Sequence, residues 1–250
     1  MPTYSHSRLS CYEQCPYRYK LRYIDGVEIE RQGIEAFTGT LVHRSLQHLY
    51  EEAEQGRVLT SQELVEHFRT EWEEAYDAKA VAVVKRGDRA SDHATRADAG
   101  LISYHRRYHP FDQGRTVGLE QEIRFTVRGE REHELVGYID RLTRRDDGTY
   151  EVHDYKTGRR MPSAQQLRDD RQLTLYEMGV RQNYPDARDV RLVWHYLAHD
   201  RELTSARAPV DLARMERSVS SLIEHIESAE DHPCRRGPLC RWCEYQEMCR

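Results

Sequence analysis

Cysteine is absent between positions 15 and 234, and no long apolar run occurs in the chain. The six cysteines stand near the two ends, at positions 11, 15, 234, 240, 243 and 249. In a reducing compartment, cysteines clustered in this way indicate metal or cluster ligation more than disulfides. No segment approaches the roughly 18 apolar residues that a membrane-spanning helix needs, and the first ten residues carry no apolar signal segment. We therefore expect a cytoplasmic protein with no membrane segment.

An excess of positive charge is also lacking. Charged residues make up 32% of the chain, mean hydropathy is −0.89 and the formal net charge is −5. This balance indicates a polar surface and does not by itself indicate nucleic-acid binding, although a basic track can be local. The 250 residues can bury a large core, and their elements alternate closely, so we expect a single domain over 1–250. Within it we expect a helical part over 36–115 and a sheet with a helix over 116–200.

The stretch from 134 to 158 alternates apolar and polar residues on both sides of a turn, as two paired strands do. Asp146-Asp147-Gly148 makes a three-residue loop with Gly148 in the left-handed position. A loop of this length pairs Arg145 with Thr149, whereas a two-residue loop would shift the register and turn every side chain over. The sequence therefore predicts a hairpin in the three-residue register.

This register places Asp140 opposite Asp154 and puts Lys156 on the same face. It also sets Leu142 opposite Val152, and it gathers further apolar side chains on that face: Val136, Tyr138 and Tyr150. Two acids and a lysine on an apolar face are costly to bury unless they are paired or bound to metal. A structural ion pair and a functional site are both compatible with the hairpin alone.

Helical patterns flank the hairpin. Thr40 is predicted to cap a helix that ends at Gly56 and carries His43 in its first turn. The remaining predicted helices are one opened by a capping box at Thr60 to Glu63, one from about 98 to 108, one over 163–183 with Gln172 and Tyr176 on one face, and one over 211–229. Between the helix opened at Thr60 and the helix from about 98, residues 77–98 are polar and poorly patterned, which suggests a mobile arm or an insertion over the active site.

Two further strands are predicted, over 117–128 and 190–198. On the first, Leu119, Gln121, Ile123, Phe125 and Val127 share one face. We expect this strand to lie beside the hairpin, with Glu120 and Glu122 on its other face at the edge of the sheet; contact of one of these acids with the site is the alternative. The segment 5–24 mixes tyrosines with basic residues, which suits a single-strand track. An amphipathic helix pair around Pro16, with tyrosines in the core, is the favoured alternative.

The C-terminal spacing Cys240-x2-Cys243-x5-Cys249 calls for a fourth ligand, because tetrahedral zinc and iron–sulfur clusters both take four. Cys234 could complete a local zinc knuckle. Cys15 could instead complete the site and join the two ends of the chain. Spacing leaves both options open.

Five segments together resemble the RecB-like branch of the PD-(D/E)XK nuclease superfamily, which includes CRISPR-associated exonucleases. The segments, in chain order, are Ser7 to Tyr19 with Cys15-Pro16, Gly39-Thr40-Leu41-Val42-His43, Gly137-Tyr138-Ile139-Asp140, Asp154-Tyr155-Lys156-Thr157-Gly158 and Gln172-Leu173-Thr174-Leu175-Tyr176. Each alone is a weak pattern, but all five in order, followed by the cysteine spacing, are specific. Two positions depart from common forms of the motif: Ile139 replaces the proline before the first acid, and Asp154 stands where many relatives have Glu.

The resemblance implies an α/β fold with a mixed central β-sheet flanked by helices, and with the N- and C-terminal segments joined by a metal cluster. It assigns Mg²⁺ or Mn²⁺ to His43, Asp140, Asp154 and the carbonyl of Tyr155. Lys156 would orient or activate the attacking water. Gln172 and Tyr176 would position the DNA. Cys15, Cys240, Cys243 and Cys249 would hold a 4Fe–4S cluster in a subregion formed by 1–30 and 231–250.

On this resemblance we expect a metal-dependent DNA exonuclease that acts on single-stranded ends in repair, recombination or CRISPR spacer acquisition. The sequence has no GxxxxGK[ST] motif, so we expect that this chain does not unwind a duplex by itself and needs free ends, a helicase or a CRISPR integrase complex. The alternative is a catalytically silent DNA-binding or assembly module of such a complex. Loss of Asp140, Asp154 or Lys156 would mark that alternative, and all three are present.

Overall fold

A mixed sheet lies at the centre of the protein. The structure, a computed structural model, describes residues 2–29 and 31–249. The strands in chain order are β1 (Gln32–Gly33), β2 (Val81–Ala82), β3 (Arg115–Arg128), β4 (Glu132–Arg144), β5 (Tyr150–Lys156), β6 (Val190–Tyr196) and β7 (Arg201–Ser205). The last five form one sheet in the order β3-β4-β5-β6-β7. Only β5 and β6 pair in parallel there; the other neighbours are antiparallel.

Helices cover both faces of this sheet. They are α1 (His6–Gln14), α2 (Pro16–Tyr19), α3 (Ile34–Glu54), α4 (Ser61–Ala75), α5 (Ala90–Tyr108), α6 (Ala164–Arg168), α7 (Arg171–Asn183) and α8 (Pro209–Ser228). Helices α3, α4 and α5 share one apolar cluster with Tyr155. Helix α7 packs with Leu142, Val152 and Trp194 in another. This arrangement confirms the α/β fold with a mixed sheet between helices. None of the helices in the described part of the chain is long and apolar enough to cross a bilayer.

The hairpin has the predicted register. Leu142 pairs with Val152, and Arg145 N–H donates to the carbonyl of Thr149 at 2.9 Å. Gly148 has φ of +87°, the left-handed conformation that the three-residue turn requires. The sequence of the turn therefore sets which residues of β4 and β5 face each other.

The predicted composition of the apolar face is wrong for Tyr138, and the half-buried Val136 is not a member of the described cluster that contains Leu142, Tyr150 and Val152. Leu142, Tyr150 and Val152 pack together, but Tyr138 is 52% exposed. Ile139 and Leu142 pack in the same cluster, while Arg141 between them lies over the ring of Tyr50 in α3. In a regular strand, residues two positions apart share a face. Ile139 and Arg141 lie on opposite faces, so the alternation of β4 is broken at Asp140, which lies between them.

A matching irregularity occurs on the neighbouring strand. Leu119 packs with the cluster of α3 to α5, whereas Ile123 packs with that of α7, so they do not share a face as predicted. Glu120 lies between them with φ of +43°, and the pairing of β3 with β4 shifts register between Thr116 and Gly118. The β3 strand therefore changes sides at Glu120.

Three helix boundaries differ from the predicted ones. Helix α3 begins at Ile34, because Ile34, Phe37 and Thr38 are buried; Thr40 is inside it and donates its hydroxyl to the carbonyl of Ala36. The next helix has its predicted capping box. Helix α5 begins at Ala90, so much of the predicted arm is ordered helix or pairs through β2. The helix predicted over 163–183 is two helices, because the side chain of Asp170 caps a new one at the N–H of Leu173.

The two ends of the chain lie against each other. Tyr17 N–H donates to the carbonyl of Pro233 at 3.3 Å, and Arg18 forms an ion pair with Glu244 at 2.9 Å. Tyr12 and Tyr19 are buried, as expected of an amphipathic pair with tyrosines in the core. These contacts bring the N-terminal helices and the C-terminal cysteine segment to the same place.

Candidate active site

Three side chains from three elements converge where the alternation of β3 and β4 is broken. His43 from α3, Glu120 from β3 and Asp140 from β4 each offer a ligand atom within 4.8 Å of the others. Nδ1 of His43 is 3.5 Å from Oδ1 of Asp140 and 3.9 Å from Oε1 of Glu120. Two carboxylates and an imidazole at this spacing form a site that a divalent cation can occupy.

The backbone irregularities aim the two acids into this site. Glu120 adopts a left-handed conformation that non-glycine residues seldom adopt, and such residues persist where the surrounding structure holds them. Asp140 takes the place of a strand acceptor, since its Oδ2 accepts the N–H of Tyr155 at 2.7 Å. The side chain of Asp140 is therefore fixed by β5 rather than left mobile.

His43 is held from the other side of the site. Its Nε2–H donates to the carbonyl oxygen of Tyr155 at 2.8 Å. Burial would lower the pKa of His43, but the hydrogen bond and charge of Asp140 and the carbonyl of Tyr155 outweigh it and raise the pKa to about 9. The imidazolium thus stands among oxygen atoms that would otherwise repel one another, and binding a metal would require it to release its proton.

Asp154 and Lys156 lie beside this group. Nζ of Lys156 is 3.0 Å from Oδ1 and 2.8 Å from Oδ2 of Asp154. Burial raises the pKa of Asp154 to about 6, although the charge of Lys156 acts to lower it. Within residues 2–29 and 31–249, Oδ2 of Asp154 is buried without a hydrogen bond of good geometry. Among those residues Asp154 does not belong to the group of ligand atoms within 4.8 Å that His43, Glu120 and Asp140 form.

A chain of hydrogen bonds links Lys156 to α7. Lys156 Nζ also donates to Oε1 of Gln172 at 3.0 Å, and Gln172 Nε2 donates to the hydroxyl of Tyr176 at 3.2 Å. The ring of Tyr176 lies on Gly137, where a Cβ would approach Cε1 of the ring to 2.5 Å. Burial raises the pKa of Tyr176 to about 12, so its phenol stays protonated and suits positioning better than proton transfer.

The structure brings His43, Asp140, Asp154, Tyr155, Lys156, Gln172 and Tyr176 to one end of the sheet. Glu120 also belongs to this group, so the less favoured of the two sequence interpretations, contact of one strand acid with the site, is the one that the structure supports. The one signal for Glu120 in the sequence was the expected position of this strand beside the hairpin; in the structure the pairs Leu119–Arg141 and Gln121–Ile139 lie on either side of Glu120 and Asp140. Alternation alone could not show that a left-handed residue would turn the carboxylate inward.

Cysteines from both chain ends lie in the region where these ends meet, although within residues 2–29 and 31–249 no three of their sulfur atoms lie within 4.8 Å of one another. Sγ of Cys234 is 2.7 Å from Sγ of Cys249. Cys15 accepts the N–H of Arg235 at 3.4 Å, and Cys240 accepts the N–H of Gly237 at 3.3 Å. Burial would raise the pKa of the Cys15 thiol, but backbone N–H groups, that of Arg235 first, lower it below the ordinary value. A lowered thiol pKa favours metal ligation, and the spatial proximity of Cys234 keeps it among the candidate ligands.

Comparison with known proteins gives one assignment by sequence family. The family model of the PD-(D/E)XK nuclease superfamily matches residues 3–250. No curated protein matches. One solved structure, named SSO0001, is similar over 86% of this chain and 96% of its own, with 17% identity and a TM-score of 0.40. The family assignment therefore rests on the family model.

Proposed function

This chain belongs to the PD-(D/E)XK nuclease superfamily, and we propose that it is a metal-dependent DNA exonuclease acting on single-stranded ends. The observation that carries the proposal is the convergence of His43, Glu120 and Asp140 within 4.8 Å. Lys156 and Asp154 lie beside these three residues and form an ion pair with each other. Carboxylates, an imidazole and a lysine at one end of a sheet suit hydrolysis of a phosphodiester bond.

The donor set fits Mg²⁺ or Mn²⁺. We assign the metal to His43, Asp140, Asp154 and the carbonyl of Tyr155, with Glu120 as an added ligand or orienting acid. Oxygen donors suit both ions, and the imidazole favours Mn²⁺ somewhat. When bound, such an ion neutralises the phosphate and lowers the pKa of a water. Oδ2 of Asp154, which lies 2.8 Å from Nζ of Lys156, would be shared between this ammonium group and the ion.

Lys156 has the position of a water-orienting and charge-stabilising group. Burial would lower the pKa of its ammonium, but the charge of Asp154 outweighs this and raises the pKa above its ordinary value. Lys156 therefore stays charged at neutral pH and can hold a water or stabilise negative charge on a phosphate oxygen. Gln172 fixes its direction and, with Tyr176, would position the DNA strand.

We assign a 4Fe–4S cluster to Cys15, Cys240, Cys243 and Cys249, in the subregion of 1–30 and 231–250 of one nuclease domain. Contacts between the two chain ends support this assignment, because Tyr17 N–H donates to the carbonyl of Pro233 and Arg235 N–H donates to the sulfur of Cys15. Cys234 is a substitute ligand, and with it the site would suit zinc. The cluster would stabilise the fold by closing nearly the whole chain into one loop.

Cleavage of single-stranded DNA labelled at either end tests the proposal. With Mn²⁺ or Mg²⁺, wild-type protein prepared without oxygen should release nucleotides stepwise from one end, which also reveals polarity. Asp154→Ala should abolish release without unfolding the protein, since the side chain is a site acid rather than part of an apolar cluster. Asp146→Ala, in the exposed hairpin turn, is the matched control and should cleave like wild type.

The second candidate is a catalytically silent DNA-binding or assembly module of a helicase–nuclease or integrase complex. Strand binding without release of nucleotides, at any Mn²⁺ concentration and in the presence of a helicase, would favour it over the exonuclease. We assign the exonuclease to DNA repair, recombination or CRISPR spacer acquisition, with a helicase or CRISPR integrase as the partner that supplies single-stranded ends.

A further inference from the structure

A cavity of about 240 Å³ opens beside the candidate active site. It lies between α3 and α5 and reaches the loop after β5, where Thr157 and Gly158 form part of its wall. Gly158 is two residues from Lys156, so the two Cα atoms lie within about 7 Å of each other. A strand held at the active site can therefore reach into this cavity with a neighbouring nucleotide.

Cations exceed acids in the lining of the cavity, although the whole chain is acidic. The charged lining residues are Lys85, Arg96 and Arg159, with Glu35 and Asp88 as the acids. Within the described ranges 2–29 and 31–249, no hydrogen bond or ion pair engages the side chain of Arg159. The rest of the wall is largely small and apolar, with Val42, Ala97 and Leu197 among its members. Cations beside an apolar wall suit a phosphate joined to a sugar and base.

Lys85 and Arg96 both pair with Asp88, but only at long distances. Nζ of Lys85 is 3.4 Å from Oδ1 of Asp88, and a guanidinium nitrogen of Arg96 is 3.4 Å from Oδ2. Charge-assisted hydrogen bonds are normally about 2.7–2.9 Å long. Lys85 and Arg96 can therefore turn to a second anion without losing a strong bond.

His93 is the third basic side chain near Asp88 in the wall of the cavity. Its side chain is 9% exposed and lines the cavity, and its Nε2 is 3.5 Å from Asp88. Among the residues that the structure describes, this buried nitrogen has no hydrogen-bond partner. Buried polar atoms are nearly always satisfied, and for this nitrogen the carboxylate of Asp88 at 3.5 Å is the nearest charged partner.

We propose that this cavity binds the terminal phosphate of a DNA strand, through Arg96 and Arg159 with Lys85 beside them, and thereby restricts the nuclease to strand ends. This inference rests on the proposed function and names the group by which the substrate end is recognised. A terminal phosphate carries more charge than an internal phosphodiester and has three oxygen atoms to share among the donors. The cavity would thus distinguish an end from the middle of a strand.

The experiment measures binding without cleavage. Full-length protein with Asp154→Asn is titrated, by fluorescence anisotropy, into ten-nucleotide single strands that carry a phosphate at the 5′ end, at the 3′ end or at neither. One phosphorylated strand should bind about tenfold or more tightly than the strand without phosphate, which identifies the end. Adding Arg96→Gln or Arg159→Gln should remove that preference, whereas Arg106→Gln, an exposed cation of the same helix, should keep it.

Three results would overturn the inference. The first is equal binding of the three strands, and the second is a preference for the phosphorylated strand that survives both Arg96→Gln and Arg159→Gln. The third is an equal loss of affinity for all three strands in Arg96→Gln. The last would mean that the cavity holds an internal phosphate. Arg159→Gln guards against misfolding, because the described structure gives that side chain no bond to lose. The binding result does not depend on cleavage, so failure of the nuclease proposal would be visible separately in the end-labelled assay.

Discussion

The carboxylate of Glu120 lies 3.9 Å from the imidazole of His43, although the two belong to a strand and a helix on different layers of the protein. Burial and the charge of Asp140 raise the pKa of Glu120, and the charge of His43 acts against them. An acid held in this way is costly unless a cation shares the site. Glu120 is therefore tied to the site chemistry as closely as the acids of the sequence motifs.

Glu120→Gln should raise the Mn²⁺ concentration needed for half-maximal cleavage by at least about tenfold. This is the loss of metal affinity typical for acids that bind or orient metal ligands. The amide keeps the shape of the side chain but removes the charge. The measurement is the Mn²⁺ concentration at half-maximal rate. Glu122→Gln, two residues away and exposed with Tyr138 and Arg124 as partners, is the control; an equal effect in both variants would show that Glu120 has no special role.

Gly137→Ala should destabilise the protein by about 1–3 kcal/mol, because the new methyl group would overlap the ring of Tyr176. The same substitution in a Tyr176→Ala background should cost much less, since the ring is then gone. Urea unfolding of the four proteins measures this coupling. Equal costs in both backgrounds would mean that the contact does not explain the glycine.

Asp154 should make the metal-free protein less stable as pH rises. Burial raises its folded-state pKa from an ordinary value of 3.8 to about 6. A carboxyl with a raised pKa favours folding below the unfolded pKa, and that contribution is lost as pH rises through the folded pKa. The thermal midpoint of wild type, relative to that of Asp154→Asn, should therefore fall between about pH 4 and pH 6. A difference that is constant over this range would contradict the raised pKa.

Cys243→Ala should remove the brown colour of an iron–sulfur protein and lower the thermal midpoint, because the link between the chain ends would be lost. Cys234→Ser separates the two ligand sets. It should leave colour and stability unchanged if Cys15 is the fourth ligand, and should lower the thermal midpoint of a colourless zinc protein if Cys234, next to Cys249, takes the place of Cys15. A colourless wild type that contains zinc, or a Cys243→Ala variant as stable as wild type, would contradict the cluster assignment.

The sequence was sufficient where local chemistry determines structure. Asp146-Asp147-Gly148 sets the hairpin register, and with it Leu142 opposite Val152. Thr60 and Glu63 set a capping box that forms as predicted. In both cases the deciding hydrogen bonds join residues a few positions apart, so the pattern is visible in the sequence.

The sequence was insufficient where distant packing determines structure. Thr40 has the chemistry of an N-cap, but the burial of Ile34 and Phe37 extends the helix past it. Glu120 has the spacing of an outward strand residue, but its left-handed backbone turns it toward Asp140 and His43. Those effects depend on contacts with other elements, which a single-sequence pattern does not contain.

The most direct test of the account is the rate of nucleotide release from single-stranded DNA as Mn²⁺ is added, for wild type, Asp140→Asn and Asp146→Asn. The account predicts that release depends on Mn²⁺ in wild type and in the exposed-turn variant Asp146→Asn. It predicts no release in Asp140→Asn, whose carboxylate charge the site requires, at any concentration that leaves the protein folded. Release by Asp140→Asn at the wild-type rate, or release by wild type in excess chelator, would contradict the central claim.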